Sequence, residues 1–279
     1  MLKKHKKLFI ALTVIALLIA SALAVAFSHE LFTTLPQDLS LFSHMENAPM
    51  LVAHRGLSSL YPENSIPAFE GADEYGFDGY ELDIHTTKDG EWVVIHDDTV
   101  DKMTDGTGDV ESFTLEEINK LVIDSGNGIE KYENLKVPVF TQALDTCADS
   151  DIIPFIEIKK CDVRYLPELK NILDEYGLSE KAVLISFEKE YLEKYRELDK
   201  NIEIMLLKGT PDEADVDWCI KYNAGLDFGY YSLHKVTDVL KKARENGVRL
   251  GAWTVDNTAY MDVMVLFGVE VITTNKILP

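Results

Sequence analysis

From Met50 onward, short runs of apolar residues alternate with longer stretches in which apolar residues recur every three or four positions. Each run is short and nearly continuous, which is typical of strands buried on both faces, as in a parallel sheet. The runs that we predict to be strands are Met50–His54, Gly79–Ile84, Ile152–Ile158, Ala182–Ser186, Ile202–Leu206, Ala224–Phe228, Val248–Val255 and Glu270–Thr273.

The stretches between these runs carry the helical period, and several end at a glycine, the residue that most readily adopts a left-handed cap. Eight strands alternating with helices predict an α/β fold, a (β/α)8 TIM barrel, and the absence of a GxGxxG or Walker A pattern argues against an open sheet. The predicted helices are Ile66–Tyr75, Leu166–Tyr176, Tyr191–Leu198, Val236–Asn246 and Thr258–Phe267, and the capping glycines are Gly76, Gly177, Gly247 and Gly268.

Residues 92–145 interrupt the alternation. They contain the run WVVIHDD, a polar stretch at Thr104–Gly108 and a short helical pattern near Thr114–Leu121. We interpret residues from about 98 to 137 as a small insertion after the second strand, inside a barrel domain that spans residues 49–279.

The N-terminus carries a membrane-targeting pattern. Four lysines within Lys3–Lys7 precede an uncharged, largely apolar run at Leu8–Phe27, which is long enough to cross a bilayer as a helix. The basic residues favour a cytoplasmic N-terminus. We therefore predict a transmembrane anchor in residues 1–28, a linker at 29–48, and a cell-membrane protein whose catalytic domain lies outside the cytoplasm. A cleaved signal peptide ending near Ala24–Ala26 is the alternative, and it gives a secreted protein.

The net charge of −21 includes those four lysines, so the rest of the chain is more acidic still. Such a surface repels nucleic acid, which argues against a nucleic-acid-binding function. An enzyme with this surface that acts on phosphate esters needs local positive charge or a metal ion at its site. The three cysteines show neither a disulfide framework nor a zinc-binding spacing.

Carboxylates close to the ends of two predicted strands are candidate metal ligands. Glu81 and Asp83 lie two residues apart and so share one face of their strand, while Glu157 occupies the end of the next barrel strand. Converging carboxylates inside a barrel repel one another unless a cation neutralises them, and oxygen ligands favour Mg²⁺ or Ca²⁺ over zinc. The alternative for Glu81 and Asp83 is a solvent-facing strand with salt bridges.

Two histidines end apolar runs beside charged residues, and they are the candidate acid–base pair. His54 precedes Arg55, and His96 precedes Asp97. Histidine exchanges protons near neutral pH, and phosphodiester cleavage requires one group to activate the nucleophile and another to protonate the leaving oxygen. Arg55 and Lys159 would supply the positive charge that a phosphate requires.

Taken together, these motifs resemble those of the glycerophosphodiester phosphodiesterase family. The resemblance extends over roughly residues 50–279, and it depends on the order and spacing of many short motifs. They are His54-Arg55-Gly56, Pro62-Glu63-Asn64-Ser65, Glu81-Leu82-Asp83, Thr87-Lys88-Asp89-Gly90, His96-Asp97-Asp98, Glu157-Ile158-Lys159, Ser186-Phe187, Trp253-Thr254 and Ile272-Thr273-Thr274-Asn275.

The resemblance implies one divalent cation, Mg²⁺ or Ca²⁺, held by the three carboxylates, and hydrolysis of a glycerophosphodiester to an alcohol and glycerol 3-phosphate by the two histidines. It implies that Arg55 and Lys159 bind the phosphate and that Glu63 and Asn64 support the site. Trp253 is expected to form an apolar wall for the glycerol moiety, although a role as core filler is the alternative. A lipid- or teichoic-acid-directed phosphodiesterase, or a lysophospholipase D, on the same barrel is the alternative activity. An inactive ligand-binding domain is disfavoured because the catalytic set is complete.

Overall fold

The computed structural model describes residues 48–276, which belong to one compact unit. The predicted transmembrane anchor at residues 1–28 and nearly all of the predicted linker at 29–48 lie outside the described residues. Within the described part of the chain, no helix combines the length and the apolar character needed to cross a membrane.

A single nine-stranded sheet forms the centre of the described fold. Eight strands run parallel to their neighbours, and β1 pairs with both β2 and β9, which closes the barrel and confirms the predicted (β/α)8 architecture. The strands are β1 Met50–Ala53, β2 Gly79–Thr86, β3 Trp92–Val94, β4 Ile153–Lys160, β5 Val183–Ser186, β6 Glu203–Lys208, β7 Gly225–Gly229, β8 Leu250–Trp253 and β9 Val271–Thr274.

Helices cover the outside of the barrel. All four glycines predicted to follow a helix have left-handed backbone; a Cβ atom at Gly76, Gly177 or Gly247 would meet nothing within 4 Å, whereas Gly268 packs against the Arg244 side chain. The helices are α1 Ile66–Glu74, α2 Leu115–Ile118, α3 Phe140–Asp145, α4 Leu166–Glu175, α5 Lys189–Leu198, α6 Glu213–Tyr222, α7 Leu233–Glu245 and α8 Thr258–Leu266. The five predicted helices correspond to α1, α4, α5, α7 and α8, and the short helical pattern near Thr114–Leu121 corresponds to α2, whereas α3 and α6 were not predicted.

Two apolar layers hold the barrel together. The larger layer lies between the strands and the surrounding helices, and the smaller one fills the lumen. The lumen cluster consists of Val52, Phe155, Val183, Ile185, Met205, Leu207 and Val271. The strand period of two also places polar side chains on the face of this cluster, among them Glu81 and Asp83 of β2, Glu157 of β4, Asp227 of β7 and Thr273 of β9.

Strand β3 departs from the barrel pattern because it pairs antiparallel with β2, with Ile84 opposite Val94. The segment that follows has an apolar core of its own, which includes Val100, Val110 and Ile118. The backbone N–H of Ile95 donates to the carbonyl of Asp83 at 3.0 Å. This pairing carries the next residue, His96, to the mouth of the barrel.

Candidate active site

A pocket of about 200 Å³ opens at the carboxyl ends of the barrel strands. This is the end at which (β/α)8 enzymes place their catalytic groups. One side of the pocket is polar and is lined by His54, Arg55, Glu81, His96, Glu157 and Lys159. The other side is largely apolar and is lined by Ile185, Phe187, Leu207 and Trp253, with Asp227 among them.

Oxygen atoms of Glu81, Asp83 and Glu157 lie within 4.8 Å of one another, and all three residues are buried. The solvent-facing alternative for Glu81 and Asp83 is therefore wrong, because their strand is covered on both faces. Within the described residues, Glu81 Oε1 and Asp83 Oδ1 have no hydrogen-bond partner. Buried oxygens without partners are costly, so the cluster fits a bound cation.

The pKa values show that the three carboxylates repel one another. Burial, and then the charges of Asp83 and Glu157, raise the pKa of Glu81 well above its usual range. Burial and Asp83 raise the pKa of Glu157 to about 7. Burial also acts to raise the pKa of Asp83, but the positive charges of His96, Lys159 and Arg55 outweigh it and lower the pKa. Without a cation, the cluster therefore retains protons that a divalent ion would displace.

Protein cations balance only part of this negative charge. Lys159 Nζ lies 2.8 Å from Glu157 Oε1 and 3.7 Å from Asp83 Oδ1. The backbone N–H of Arg55 donates to Glu81 Oε2 at 2.7 Å, and Arg55 Nε lies 3.8 Å from Asp83 Oδ2. Both cationic side chains thus lie at the edge of the carboxylate cluster, where an anionic ligand could contact them together with a metal ion.

The loop after β1 places Arg55 through an unusual backbone. Arg55 and Gly56 both have positive φ, at 58° and 73°. Asn64 also has a positive φ of 54°, and its backbone N–H donates to the carbonyl of Arg55 at 2.9 Å. The N–H of Gly56 donates to the carbonyl of Glu81 at 3.1 Å. These contacts explain why the motif His54-Arg55-Gly56 is followed closely by Asn64.

Glu63 and Asn64 contact the residues that they were expected to support. Arg55 Nη1 donates to Glu63 Oε1 at 2.9 Å, and Lys102 of the insertion reaches the same oxygen at 2.9 Å. Asn64 Nδ2 donates to Asp83 Oδ2 at 2.7 Å, while the backbone N–H of Asp83 donates to Asn64 Oδ1 at 3.1 Å. Asn64 therefore fixes the position of one carboxylate, and Glu63 that of the arginine.

His54 has a neutral hydrogen-bond partner. Its Nδ1 lies 2.7 Å from Asn275 Oδ1, and Asn275 Nδ2 donates to Asp256 Oδ2 at 2.9 Å. Because the amide nitrogen is engaged by Asp256, the amide oxygen faces His54 and the proton belongs on Nδ1. Burial, with the charge of Arg55, lowers the pKa of His54 to about 4. The ring is thus neutral near pH 7, with Nε2 available as a proton acceptor.

His96 has an anionic partner instead. Its Nδ1 lies 2.6 Å from Asp97 Oδ1, and Lys159 Nζ lies 3.3 Å from its Nε2. The ring is about a quarter exposed, at 27%. A carboxylate at Nδ1 therefore orients this ring, whereas a neutral amide orients the ring of His54.

Trp253 lies on the apolar side of the pocket, where its ring packs edge-on against both Phe187 and Tyr231. Its Nε1 donates to the carbonyl of Asp227 at 3.3 Å. Trp253 also packs against the lumen cluster, so it is at once a wall of the pocket and a part of the core.

Sequence reasoning missed three polar residues in or beside this site. Asn275 was noted only as part of the closing motif, and Asp256 and Asp227 were not considered. A single Asp within an apolar run, as at Ala224–Phe228, was the one available signal for Asp227. His85 is also buried, and its Nε2 lies 3.3 Å from the carbonyl oxygen of His96.

Comparison with known proteins identifies the family. The glycerophosphoryl diester phosphodiesterase family model matches residues 54–278. A glycerophosphodiester phosphodiesterase of Caldanaerobacter subterraneus subsp. tengcongensis is 36% identical over 235 residues, which cover 81% of this chain and 93% of that protein. A glycerophosphodiester phosphodiesterase of Bacillus subtilis is 30% identical over 248 residues, which cover 81% and 83%.

Solved structures share the fold. A glycerophosphodiester phosphodiesterase from Parabacteroides distasonis is 26% identical with a TM-score of 0.70, and the match covers 81% of this chain and 92% of that one. An Oleispira antarctica phosphodiesterase, solved with the product sn-glycerol-3-phosphate, gives a TM-score of 0.74 at 21% identity, with 81% and 93% covered. The chain belongs to the glycerophosphoryl diester phosphodiesterase family and is an enzyme of that class.

Proposed function

We propose that this enzyme hydrolyses glycerophosphodiesters to an alcohol and glycerol 3-phosphate, with one divalent cation and with His54 and His96 as the acid–base pair. The observation that carries the proposal is the convergence of three buried carboxylates within 4.8 Å at the polar side of a pocket that both histidines line. The partnerless oxygens of Glu81 and Asp83 support a resident cation over a purely structural acid cluster.

Glu81, Asp83 and Glu157 would hold the cation, and their all-oxygen donor set is suited to Mg²⁺ or Ca²⁺. A bound cation would supply Lewis-acid stabilisation of the negative charge that develops during the reaction. Arg55 and Lys159 bind the remaining phosphate oxygens, because both lie at the edge of the carboxylate cluster and carry fixed positive charge.

We assign the roles of the two histidines from the groups that their Nδ1 atoms contact. His54, with the neutral amide of Asn275 at Nδ1, removes the proton of the nucleophile through Nε2. The nucleophile is either the glycerol 2-hydroxyl, which gives a cyclic phosphate that water then opens, or water itself. As the new O–P bond forms, the bond to the leaving alcohol breaks, and His96 donates its proton to that oxygen.

Substitution of each histidine tests this assignment. His54→Ala and His96→Ala should each lower kcat by roughly 100-fold or more, since acid–base groups contribute at least that much. A p-nitrophenyl ester, whose leaving group needs no protonation, should restore much of the rate of His96→Ala but not that of His54→Ala. His234→Ala, at an exposed position outside the pocket, is the control. Equal rescue of both variants would contradict the assignment.

A second candidate activity is cleavage of lysophospholipids or of polyglycerol-phosphate polymers. The exposed aromatic rings of Phe187 and Tyr231, which flank Trp253 beside the pocket, support it because they offer an apolar surface for a larger substituent. Products from glycerophosphocholine, a lysophospholipid and a teichoic-acid-like polymer, compared at equal concentration, would distinguish the activities.

We also propose that residues 1–28 anchor the enzyme in the cell membrane with the barrel outside the cytoplasm. The lysine cluster and the apolar run that follows it support this proposal. Cells producing the full chain should retain the enzyme in the carbonate-washed membrane fraction, and removal of residues 1–28 should release it from that fraction. Recovery of the full-length product as a soluble, shortened protein would favour signal cleavage.

A further inference from the structure

Asp227 is a buried acid that the proposed mechanism does not use. It lies on β7, is 1% exposed and lines the pocket. Its Oδ1 has no hydrogen-bond partner among residues 48–276. A buried carboxyl oxygen without a partner costs free energy, so its persistence at the wall of a pocket indicates a partner supplied by a ligand.

Outside the carboxylate cluster, the other buried carboxylates of the described chain have partners, which sets Asp227 apart. Asp215 lies 2.7 Å from Lys189 Nζ, and Asp199 accepts the backbone N–H of Asn201 at 2.8 Å. The three carboxylates Glu81, Asp83 and Glu157 converge on one another, but Asp227 is not a member of that cluster. It projects from β7, three strands around the barrel from β4.

The neighbouring strand leaves room for this carboxyl group. A Cβ atom added at Gly251, the register partner of Asp227 on β8, would lie 2.7 Å from Asp227 Oδ1. Residues lining the same side of the pocket include Ile185, Leu207 and Trp253, none of which offers a charge. Asp227 is thus an isolated hydrogen-bonding group on an apolar wall that faces the cation and phosphate side.

This arrangement matches the chemistry of glycerol. If the phosphate binds near Arg55, Lys159 and the carboxylate cluster, glycerol carbons placed along the apolar wall of the pocket would bring the hydroxyl farthest from the phosphorus towards Asp227. Burial, with the charge of Glu157, raises the pKa of Asp227 to about 8, so the group can donate as well as accept a hydrogen bond near neutral pH.

We propose that Asp227 hydrogen bonds the terminal hydroxyl of the substrate's glycerol group and thereby selects glycerol over diols that lack this hydroxyl. The inference rests on the proposed function, because it takes glycerophosphodiesters as substrates. Asp227 is a specificity residue here: it contacts the substrate but neither the phosphorus nor the transferred protons.

Paired ligands test the inference by binding, independently of turnover. sn-Glycerol 3-phosphate and 1,2-propanediol 1-phosphate share the phosphate and the 2-hydroxyl and differ in the terminal hydroxyl. In calorimetry with saturating Mg²⁺ or Ca²⁺, the wild type should bind the first about tenfold more tightly or better. Asp227→Leu should reduce this ratio to about twofold or less, while Asp227→Asn, which can still donate and accept, should retain most of it.

The kinetic counterpart uses glyceryl and 2-hydroxypropyl esters of p-nitrophenyl phosphate. Asp227→Leu should lower kcat/KM for the glyceryl ester alone. Ile185→Val, which changes the volume of the same pocket without removing a polar group, should affect both esters equally. The inference would be overturned if Asp227→Leu lost affinity for both ligands equally. It would also be overturned if the wild type bound the two ligands equally tightly or bound neither. Discrimination in binding without hydrolysis of either ester would instead overturn the proposed function and leave the role of Asp227 intact.

Discussion

His54 Nδ1 and Asn275 Oδ1 lie 2.7 Å apart, although 221 residues separate them in the chain. Asp256 holds the amide through two contacts, from Asn275 Nδ2 at 2.9 Å and from the Asn275 backbone N–H at 2.8 Å. A positioned Asp–Asn pair therefore sets the tautomer of the proposed base. The relationship links the end of β1 to the segment that follows β9.

Removing the side-chain amide of Asn275 should impair His54 as a base while leaving substrate binding nearly unchanged. We expect Asn275→Leu to lower kcat about 10- to 100-fold with little change in KM, because His54 loses the acceptor that fixes its Nδ1 proton. The pH profile should also change, with the acid limb of kcat/KM moving. Asn201→Leu, at an exposed position, is the matched control. A lower kcat with an unchanged pH profile would indicate a merely structural role.

Stabilisation by metal ions should increase with pH. The pKa of Glu157 is raised from 4.5 to about 7 in the folded protein, so the metal-free fold gains stability from this proton below pH 4.5 and loses it as pH rises through 7. A divalent cation replaces the proton, and its effect is therefore largest where the proton has been lost. Saturating Mg²⁺ or Ca²⁺ should raise Tm by roughly 5 °C or more at pH 8, and by less at pH 5.

Thermal melts at both pH values, with KCl at matched ionic strength as the control, would measure this effect. Glu157→Gln should weaken the dependence on pH, because one of the two carboxyl groups with a raised pKa is gone. EDTA should abolish hydrolysis in the wild type. A Tm gain that is independent of pH would argue against displacement of protons by the cation.

Two glycines with similar left-handed backbone, of which one lies near the site, allow a matched comparison. Gly56 and Gly76 have similar φ values of 73° and 77°, but a Cβ at Gly56 would lie 2.6 Å from the Ala68 backbone, whereas a Cβ at Gly76 meets nothing within 4 Å. Gly76→Ala should cost about 1 kcal/mol from the left-handed backbone alone. Gly56→Ala should cost about 3 kcal/mol or more, since overpacking is added to that strain.

Urea unfolding would give both values. We also expect Gly56→Ala to reduce kcat/KM, because any shift at Gly56 moves the backbone of Arg55, while Gly76→Ala leaves activity near the wild-type level. Similar costs for the two variants would show that the close approach to Ala68 relaxes easily.

The pair Glu63 and Arg55 should control substrate affinity more than turnover. Glu63 Oε1 accepts from both Arg55 Nη1 and Lys102 Nζ, so Glu63→Gln weakens the contact that fixes the arginine. We expect KM to rise about fivefold, in line with the loss of one charge-assisted hydrogen bond. Glu74→Gln, on an exposed helix end, is the control, and initial-rate kinetics on one glycerophosphodiester would compare the two. A fall in kcat alone would contradict this role.

Local patterns predicted most of the fold. The eight barrel strands are apolar runs with few polar neighbours, and the five predicted helices have a clear repeat or a capping glycine. Helix α6 at Glu213–Tyr222 escaped prediction because its buried face includes Asp215, an acid that only the tertiary contact with Lys189 explains. Strand β3 is only three residues long, and its antiparallel pairing depends on the chain reversal before it.

The site was predictable wherever its residues fall within short motifs. His54, His96 and the carboxylates close strands or precede charged residues, so sequence could single them out. Asn275 and Asp256 acquire their meaning from the contact with His54, which forms only when the barrel closes. Asp227 looks like an exception within an apolar run, and its significance comes from the pocket that it lines. The insertion's Lys102 is linked to the site in the same way, through Glu63.

The closure of the barrel by β1 and β9 has a consequence for how activity arises during synthesis. A nascent chain that already contains His54, His96 and all three carboxylates still lacks the segment that orients the base. Full catalytic competence therefore comes only with the last barrel strand and the asparagine that follows it. Incomplete chains released early should remain poor phosphodiesterases, whatever metal they encounter.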